Sequence, residues 1–257
     1  MNALVSAVCF FLAQQLDDAS ATACGRCDVC TGPWYSVEVP AEAQQAAQSS
    51  FNTVGVPLQP RRMWPSGLDQ LMGADAPQGR LSKDEQAESG YALARLSDMG
   101  YGTRLRELLA TNELGEPVDS EVPAELGRAC VEVLAAWEWS EAGRPVAVLT
   151  LPSPVRPRLA QSLGRGLASV GRLVDLGRVS LAGEPRFFGG NSAFRCADVL
   201  RSYRVPAEVL DYVREHRCPV LLVSDVVDSR WAFTVVAREL RLAGASAVYP
   251  FSLAATH

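Results

Sequence analysis

Apolar residues at Val122, Leu126, Ala129, Val133 and Trp137 return every three or four positions, which predicts an amphipathic helix running toward Gly143. The run Val146-Ala-Val-Leu-Thr-Leu151 is continuous rather than alternating and is bracketed by Pro145 and Pro152, so it reads as a strand buried on both faces. Helical spacing resumes at Leu159, Leu163 and Leu167 and breaks at Gly171. A second continuous strand, Pro219-Val-Leu-Leu-Val-Ser-Asp225, ends in an acid. A helix from about Trp231 to Ala243 is then closed by Gly244, and Ala247 to Leu253 makes a third strand. Apolar strands alternating with helices predict an α/β fold, a mostly parallel sheet flanked by helices. Ligands of such sheets collect beyond the carboxyl ends of the strands, which makes Asp225 to Arg230 the candidate site.

Upstream the pattern is less regular. Residues 34–120 carry turn chemistry at Pro40, Pro57, Pro60, Pro65, Pro77 and Pro117. Ser82-Lys-Asp-Glu85 has the form of a capping box and predicts a helix with Ala87, Tyr91 and Leu96 on one face, ended by Gly100 and Gly102. A further helix is expected around Thr103 to Leu109, and no alternating strand pair stands out. The chain thus reads as three parts: 1–33, a helical accessory or linking region over 34–120, and an α/β domain over 121–257. Arg61-Arg62-Met63-Trp64-Pro65, with Arg95, Arg104 and Arg106, has the residue types of a DNA contact. Its acidic surroundings favour a Trp64 that fills a local core and arginines paired with nearby acids.

Four of the seven cysteines fall in the first 30 residues. In Cys24-Gly-Arg-Cys-Asp-Val-Cys30 the two-residue gaps bend the backbone so that three thiolates converge, with Gly25 giving room for the turn. Cys9, on a helix with Val5, Val8, Phe11, Leu12 and Leu16, supplies a fourth sulfur, and four sulfurs close a tetrahedral zinc site. Disulfides fit poorly because the spacing is cramped and no secretory signal is evident. The Met1 to Leu16 run lacks a preceding basic residue and is broken by Gln14 and Gln15, so it reads as a cytoplasmic helix. An iron–sulfur cluster is the other metal reading. Ferredoxins share this spacing but continue to a Cys-Pro, whereas this run passes into Thr31-Gly32-Pro33.

Composition adds constraints. With 48% hydrophobic and 21% charged residues, the 257-residue chain belongs with folded proteins, and no apolar stretch is long enough to span a membrane. Net charge is −5, but residues before Arg144 hold 9 basic and 20 acidic side chains, and the last 114 residues hold 15 and 9. That cationic half suits an anionic partner, or is simply a solvated surface. Of the basic residues 23 are arginine, and Lys83 is the single lysine. Without a Gly-x-x-x-x-Gly-Lys loop the chain is not an ATPase motor. Two histidines, His216 and His257, argue against a histidine-based triad.

The cysteine-bearing helix, the spacer, Cys24 to Cys30 and the short Gly-Pro exit resemble the zinc-binding subdomain that follows the two motor lobes of RecQ-type DNA helicases. The resemblance implies that Cys9, Cys24, Cys27 and Cys30 ligate zinc, clamping a helical platform beside the DNA path. Such helicases carry a winged-helix domain where this chain has its irregular middle, so a wing hairpin is not expected. The strand-loop-helix from Val220 resembles the phosphoribosyltransferase signature V-D-D-V-x-T-T-G-x-T, and Leu240 to Val248 continues it. Leu151-Pro-Ser-Pro with Arg156 and Arg158 resembles the competence-protein-F branch of that family. The tandem is similar to an actinobacterial type of RecQ-like helicase with a phosphoribosyltransferase-like C-terminus.

Against the signature the site is degraded. Ser224 stands for the first acid, leaving Asp225; the phosphate loop reads Asp228, Ser229, Arg230, Trp231, Ala232, with Arg230 at the glycine position. The resemblance therefore implies a non-catalytic accessory region of a DNA helicase, cytoplasmic at the nucleoid, whose motor lobes lie upstream in the full protein. DNA backbone contacts are expected at Arg156, Arg158, Arg195 and Arg230, with Asp225, Asp228 and Ser229 beside them and Trp231 stacking on a base. Gly189 to Arg195 reads as a mobile loop near the site or an ordinary surface loop. The alternatives are an active magnesium-dependent phosphoribosyltransferase and a protein-interaction platform that binds no DNA.

Overall fold

The computed structural model describes residues 8–22, 24–34, 38–43, 54–183 and 190–257, with the side chains of Val8 and Cys9 outside that description. The chain divides into two compact units, Met1–Ser50 and Phe51–His257. Among the described residues no helix is long and apolar enough to cross a membrane.

In the first unit, α1 (Val8–Gln15) is followed by a turn in which Asp18 accepts hydrogen bonds from the backbone N–H and the hydroxyl of Ser20. A single helical turn, α2 (Asp28–Thr31), begins directly after Cys27. Its end is fixed by Thr31, whose hydroxyl donates to Cys27 O at 2.8 Å and accepts from Trp34 Nε1 at 2.6 Å.

The second unit is an α/β fold. Its six-stranded sheet runs in the order β1 (Val56–Leu58), β2 (Gly90–Arg95), β8 (Val248–Ala255), β7 (Val220–Val227), β3 (Ala147–Thr150), β4 (Val174–Arg178). Only the β1–β2 pair is antiparallel; the rest are parallel. Parallel strands need crossover helices, and here these cover both faces. On one face α4 (Tyr101–Leu108), α5 (Ala124–Ala136) and α6 (Pro157–Gly171) pack through Leu105, Leu126, Leu159 and Leu163 on Val148, Leu221 and Val223. On the other, α8 (Ala207–His216) and α9 (Trp231–Ala243) bring Val209, Val213, Phe233 and Leu240 onto Leu149, Val220 and Leu222. Alternate residues of β7 thus enter different cores, which is why its sequence is continuously apolar. A third, smaller core joins Trp64, Leu68 of α3 (Leu68–Met72), Leu81, Cys196 of α7 (Ser192–Ser202) and Trp231. A two-stranded ribbon, β5 (Ser180–Leu181) with β6 (Tyr203–Arg204), is separate from the main sheet.

The helices and strands expected between Val122 and Leu253 form where the pattern put them, within a few residues. The helix expected from Ser82 toward Gly100 does not form. A 3-10 turn, Lys83–Glu85, follows Ser82, and Gly90–Arg95 is strand β2. Gly90 decides this: a Cβ there would meet Pro250 O at 2.2 Å, so only glycine lets β2 lie this close to β8. Ala92 then joins one core while Leu93 and Ala94 join the other. The region 34–120, read as a helical accessory or linking region, thereby contributes two strands, β1 and β2, to the sheet. Strand β4 and helices α7 and α8 carried no legible pattern. The edge strand β4 is largely exposed, and α7 is set instead by Asn191, whose carbonyl accepts the N–H groups of Ala193 and Phe194.

Candidate functional site

Cys24, Cys27 and Cys30 come together. Gly25 takes a positive φ of 64°, Arg26 N–H donates to Cys24 Sγ at 3.4 Å, and the N–H groups of Cys30 and Thr31 both reach Cys27 O at 3.0 Å. This tight turn leaves the three sulfurs within 4.8 Å of one another. A tetrahedron with metal–sulfur bonds of about 2.3 Å has edges of about 3.8 Å. The Cys24 Sγ to Cys30 Sγ separation is 3.8 Å, the length of such an edge, so the three donors are placed to hold a metal ion. The Cys9 side chain, expected as the fourth ligand, lies outside the described residues. The remaining cysteines differ in kind. Cys130 and Cys196 are buried in cores, and burial pushes their thiols up to about 12.

The second candidate site is in the α/β unit. The chain runs outward from β3 to β4 on one side and from β7 to β8 on the other, so the sheet's switch point lies between β3 and β7. A cavity of about 440 Å³ opens where these two strands end, lined by Ser153, Arg156, Arg195, Asp198, Tyr203 and Asp225 together with the 228–230 loop. Asp225, within β7, is 7% exposed. Its carboxylate accepts from Ser153 Oγ at 2.6 Å and from Val226 N–H at 2.8 Å. Ser224, the residue before Asp225, turns its hydroxyl to Val226 O at 3.1 Å. Burial, reinforced by the Asp225 charge, pushes the Tyr203 phenol up to about 12, so it stays neutral beside that carboxylate. The end of β7 therefore presents one clasped carboxylate, that of Asp225, to the cavity.

The loop after β7 turns through Arg230, which is left-handed at φ 64° and ψ 7° and caps α9. A side chain there costs about 1–2 kcal/mol relative to glycine's freedom, offset by glycine's own entropy cost of about 0.5–1 kcal/mol. Arg230→Gly is accordingly expected to fold normally and to stay within about 1 kcal/mol of the parent in thermal unfolding, a test of that backbone conformation.

The expected DNA-contacting residues separate into groups. Arg156, Arg195, Arg230, Asp225, Asp228 and Ser229 all line the switch-point cavity, while Arg158 and Trp231 do not. Arg158 is exposed on the first turn of α6, where its N–H and that of Leu159 are capped by Asp119, both at 3.0 Å. Arg156 donates from Nη2 to Leu109 O at 2.6 Å, and its buried Nε has no partner among the described residues. Arg195 pairs with Asp228. Arg230 donates to Gln59 O at 2.8 Å. Trp231 corrects the sequence reading: it is 1% exposed, lies parallel to Trp64 with centroids 6.0 Å apart, and donates from Nε1 to Ser192 Oγ. Its ring is part of the small core and has no face open to a base. Gly189 lies outside the described residues, whereas Asn191 to Arg195 form the cap and first turn of α7.

Trp64 fills that same core, as its acidic setting suggested, but among the described residues Arg61 pairs with no acid. Its Nε donates to Ser229 O at 2.7 Å and its guanidinium lies 4.1 Å from the centre of the Trp231 ring. Sequence reasoning missed this contact because Arg61 and Ser229 are 168 residues apart. Fold and site together define an α/β protein with a mostly parallel sheet and a cavity at its switch point. Comparison with protein-family models, curated proteins and solved structures finds no match.

Proposed function

We propose that this chain is the accessory region of a RecQ-like DNA helicase: a zinc-stapled DNA-binding platform joined to a phosphoribosyltransferase-like domain that no longer transfers phosphoribosyl groups. The observation that carries the reading is the backbone at Arg230. The loop keeps the left-handed turn that a phosphate loop builds with glycine, while the residue is an arginine whose side chain is tied to Gln59. Loss of the acid at Ser224 points the same way. Zinc is favoured over iron because the run passes directly into Thr31-Gly32-Pro33 with no nearby Cys-Pro. Charge supports the DNA partner: the last 114 residues carry 15 basic side chains, all of them arginine, against 9 acidic. The motor lobes would belong to the longer protein of which this chain is the accessory part.

Two measurements test this. Labelled single-stranded and duplex DNA should bind weakly and without sequence preference. For three phosphate contacts, a three-fold rise in salt should lower affinity about twenty-fold. Affinity unchanged in an Arg156→Ala/Arg158→Ala double variant would remove the α/β unit from the DNA path. Calorimetry with phosphoribosyl pyrophosphate and magnesium is expected to show no binding that depends on Asp225; tight binding abolished by Asp225→Ala would restore the enzyme reading.

A further inference from the structure

On the other side of the 228–230 loop from the switch-point cavity is a second hollow, of about 400 Å³. Three arginines from separate parts of the chain line it: Arg61 after β1, Arg195 on α7 and Arg230 at the start of α9. Among the described residues the acid lining this hollow is Asp228. That carboxylate is already shared: Arg195 pairs with it, Thr256 Oγ1 donates to it at 3.3 Å, and His257 Nε2 lies 3.6 Å away. Arg61 and Arg230 instead spend hydrogen bonds on carbonyl oxygens, of Ser229 and Gln59, which carry no charge.

Among the described side chains that line the hollow, three guanidiniums against one carboxylate leave a local excess of two positive charges. Arg61 is only partly exposed, and a charge drawn away from water is ordinarily paired because leaving it uncompensated is costly. Arg61 registers the imbalance: burial first, then the neighbouring Arg230 and Arg195 charges, hold its guanidinium below the ordinary arginine value, with Asp228 and Cys196 partly opposing. Packing holds the cluster in place. Arg61 is pinned over Trp231, Trp231 is stacked on Trp64, and Ser192, which also lines the hollow, accepts the Trp231 N–H. Arg61 is thus pre-positioned, and beyond Asp228 the described residues lining the hollow supply no acid to meet the charge of the three arginines.

We propose that this hollow is a binding site for a phosphomonoester dianion, whose two charges match the excess and whose oxygens suit guanidinium forks. The hollow is far larger than one tetrahedral anion, so the phosphate is the terminus of a larger molecule, a nucleotide or the 5′-phosphorylated end of a nucleic acid. The site uses arginine side chains on the far side of the loop, not a backbone cradle in the switch-point cavity, and it does not rest on the helicase reading.

The test is calorimetry on the full chain with inorganic phosphate, a nucleoside 5′-monophosphate and its parent nucleoside, and one oligonucleotide with a 5′-phosphate or a 5′-hydroxyl. The monophosphate should bind and the nucleoside should not. Arg61→Gln and Arg230→Gly should each weaken that binding by about ten-fold or more, as loss of a charge-assisted contact requires. Arg230→Gly relaxes a left-handed position, so its result stands even if Arg61→Gln fails to fold. A preference for the 5′-phosphorylated oligonucleotide identifies a nucleic-acid end; binding of the mononucleotide alone identifies a free nucleotide; binding of inorganic phosphate alone, without either carrier, overturns the proposed ligand class. No binding at millimolar concentration, or affinity unchanged in both variants, overturns the site. Equal binding of both oligonucleotides, unaffected by Arg61→Gln, overturns it while leaving general backbone binding intact.

Discussion

Cys27→Ser is expected to strip the metal from the protein and unfold the N-terminal unit while leaving the α/β unit cooperative. Cys27 is the middle sulfur of a turn whose three donors lie within 4.8 Å, and serine gives no thiolate to replace it. Among the described residues of the unit, little else is buried. Phe11 and Leu12 on α1 are each 52% exposed, and α2 buries no residue. Metal binding in small modules of this kind is worth on the order of 10 kcal/mol of folding free energy. Elemental analysis of the parent should find one zinc per chain and none in the variant. After chelation at mildly alkaline pH, an alkylating reagent should label Cys24 and Cys30 but spare Cys130 and Cys196, whose thiols burial holds up to about 12. Iron in the parent, or well-folded parent with no metal, would sink the zinc assignment.

Gly90→Ala should damage the other unit as severely. The added Cβ would sit 2.2 Å from Pro250 O and 2.8 Å from Pro250 Cβ, and neither atom belongs to a side chain that can swing away. β2 and β8 must separate or shift register, at a cost of about 3 kcal/mol. For a unit of this size that corresponds to a melting temperature lower by roughly 6–12 °C. Alanine at Gly166, where a Cβ meets nothing within 4 Å on the exposed side of α6, is the control and should be neutral or slightly stabilising. Equal melting temperatures for the two variants would contradict the close approach of the strands.

The sequence revealed those parts of the fold whose burial is two-sided. Continuous apolar runs at β3, β7 and β8 reflect strands covered by helices on both faces, and the periodicity of α5, α6 and α9 reflects helices that bury one face each. It failed at Gly90–Arg95 because Gly-Tyr-Ala-Leu-Ala-Arg serves a strand through small residues, which also suit a helix, and the deciding contact with Pro250 is remote in sequence. The cysteine site was legible because its geometry is local: two-residue gaps and one glycine determine where three sulfurs go. The arginine hollow was not, since it exists only once β1, α7 and α9 meet. Trp231 shows the opposite hazard. An aromatic beside an arginine in a loop suggested a stacking surface, yet Trp64, contributed from far upstream, covers it.

The place of β8 bears on how the polypeptide is made. It is the last strand in sequence order and yet lies inside the sheet, between β2 and β7, with Tyr91 beside Phe251 and Val223 beside the same residue. While the ribosome is still extending the chain, β2 has one paired edge, toward β1, and one edge of unmet amides and carbonyls, and β7 has no neighbour on its β8 side. Nascent chains stalled before Val248 would therefore offer two open strand edges to any other chain nearby, the situation in which chaperone capture and aggregation compete.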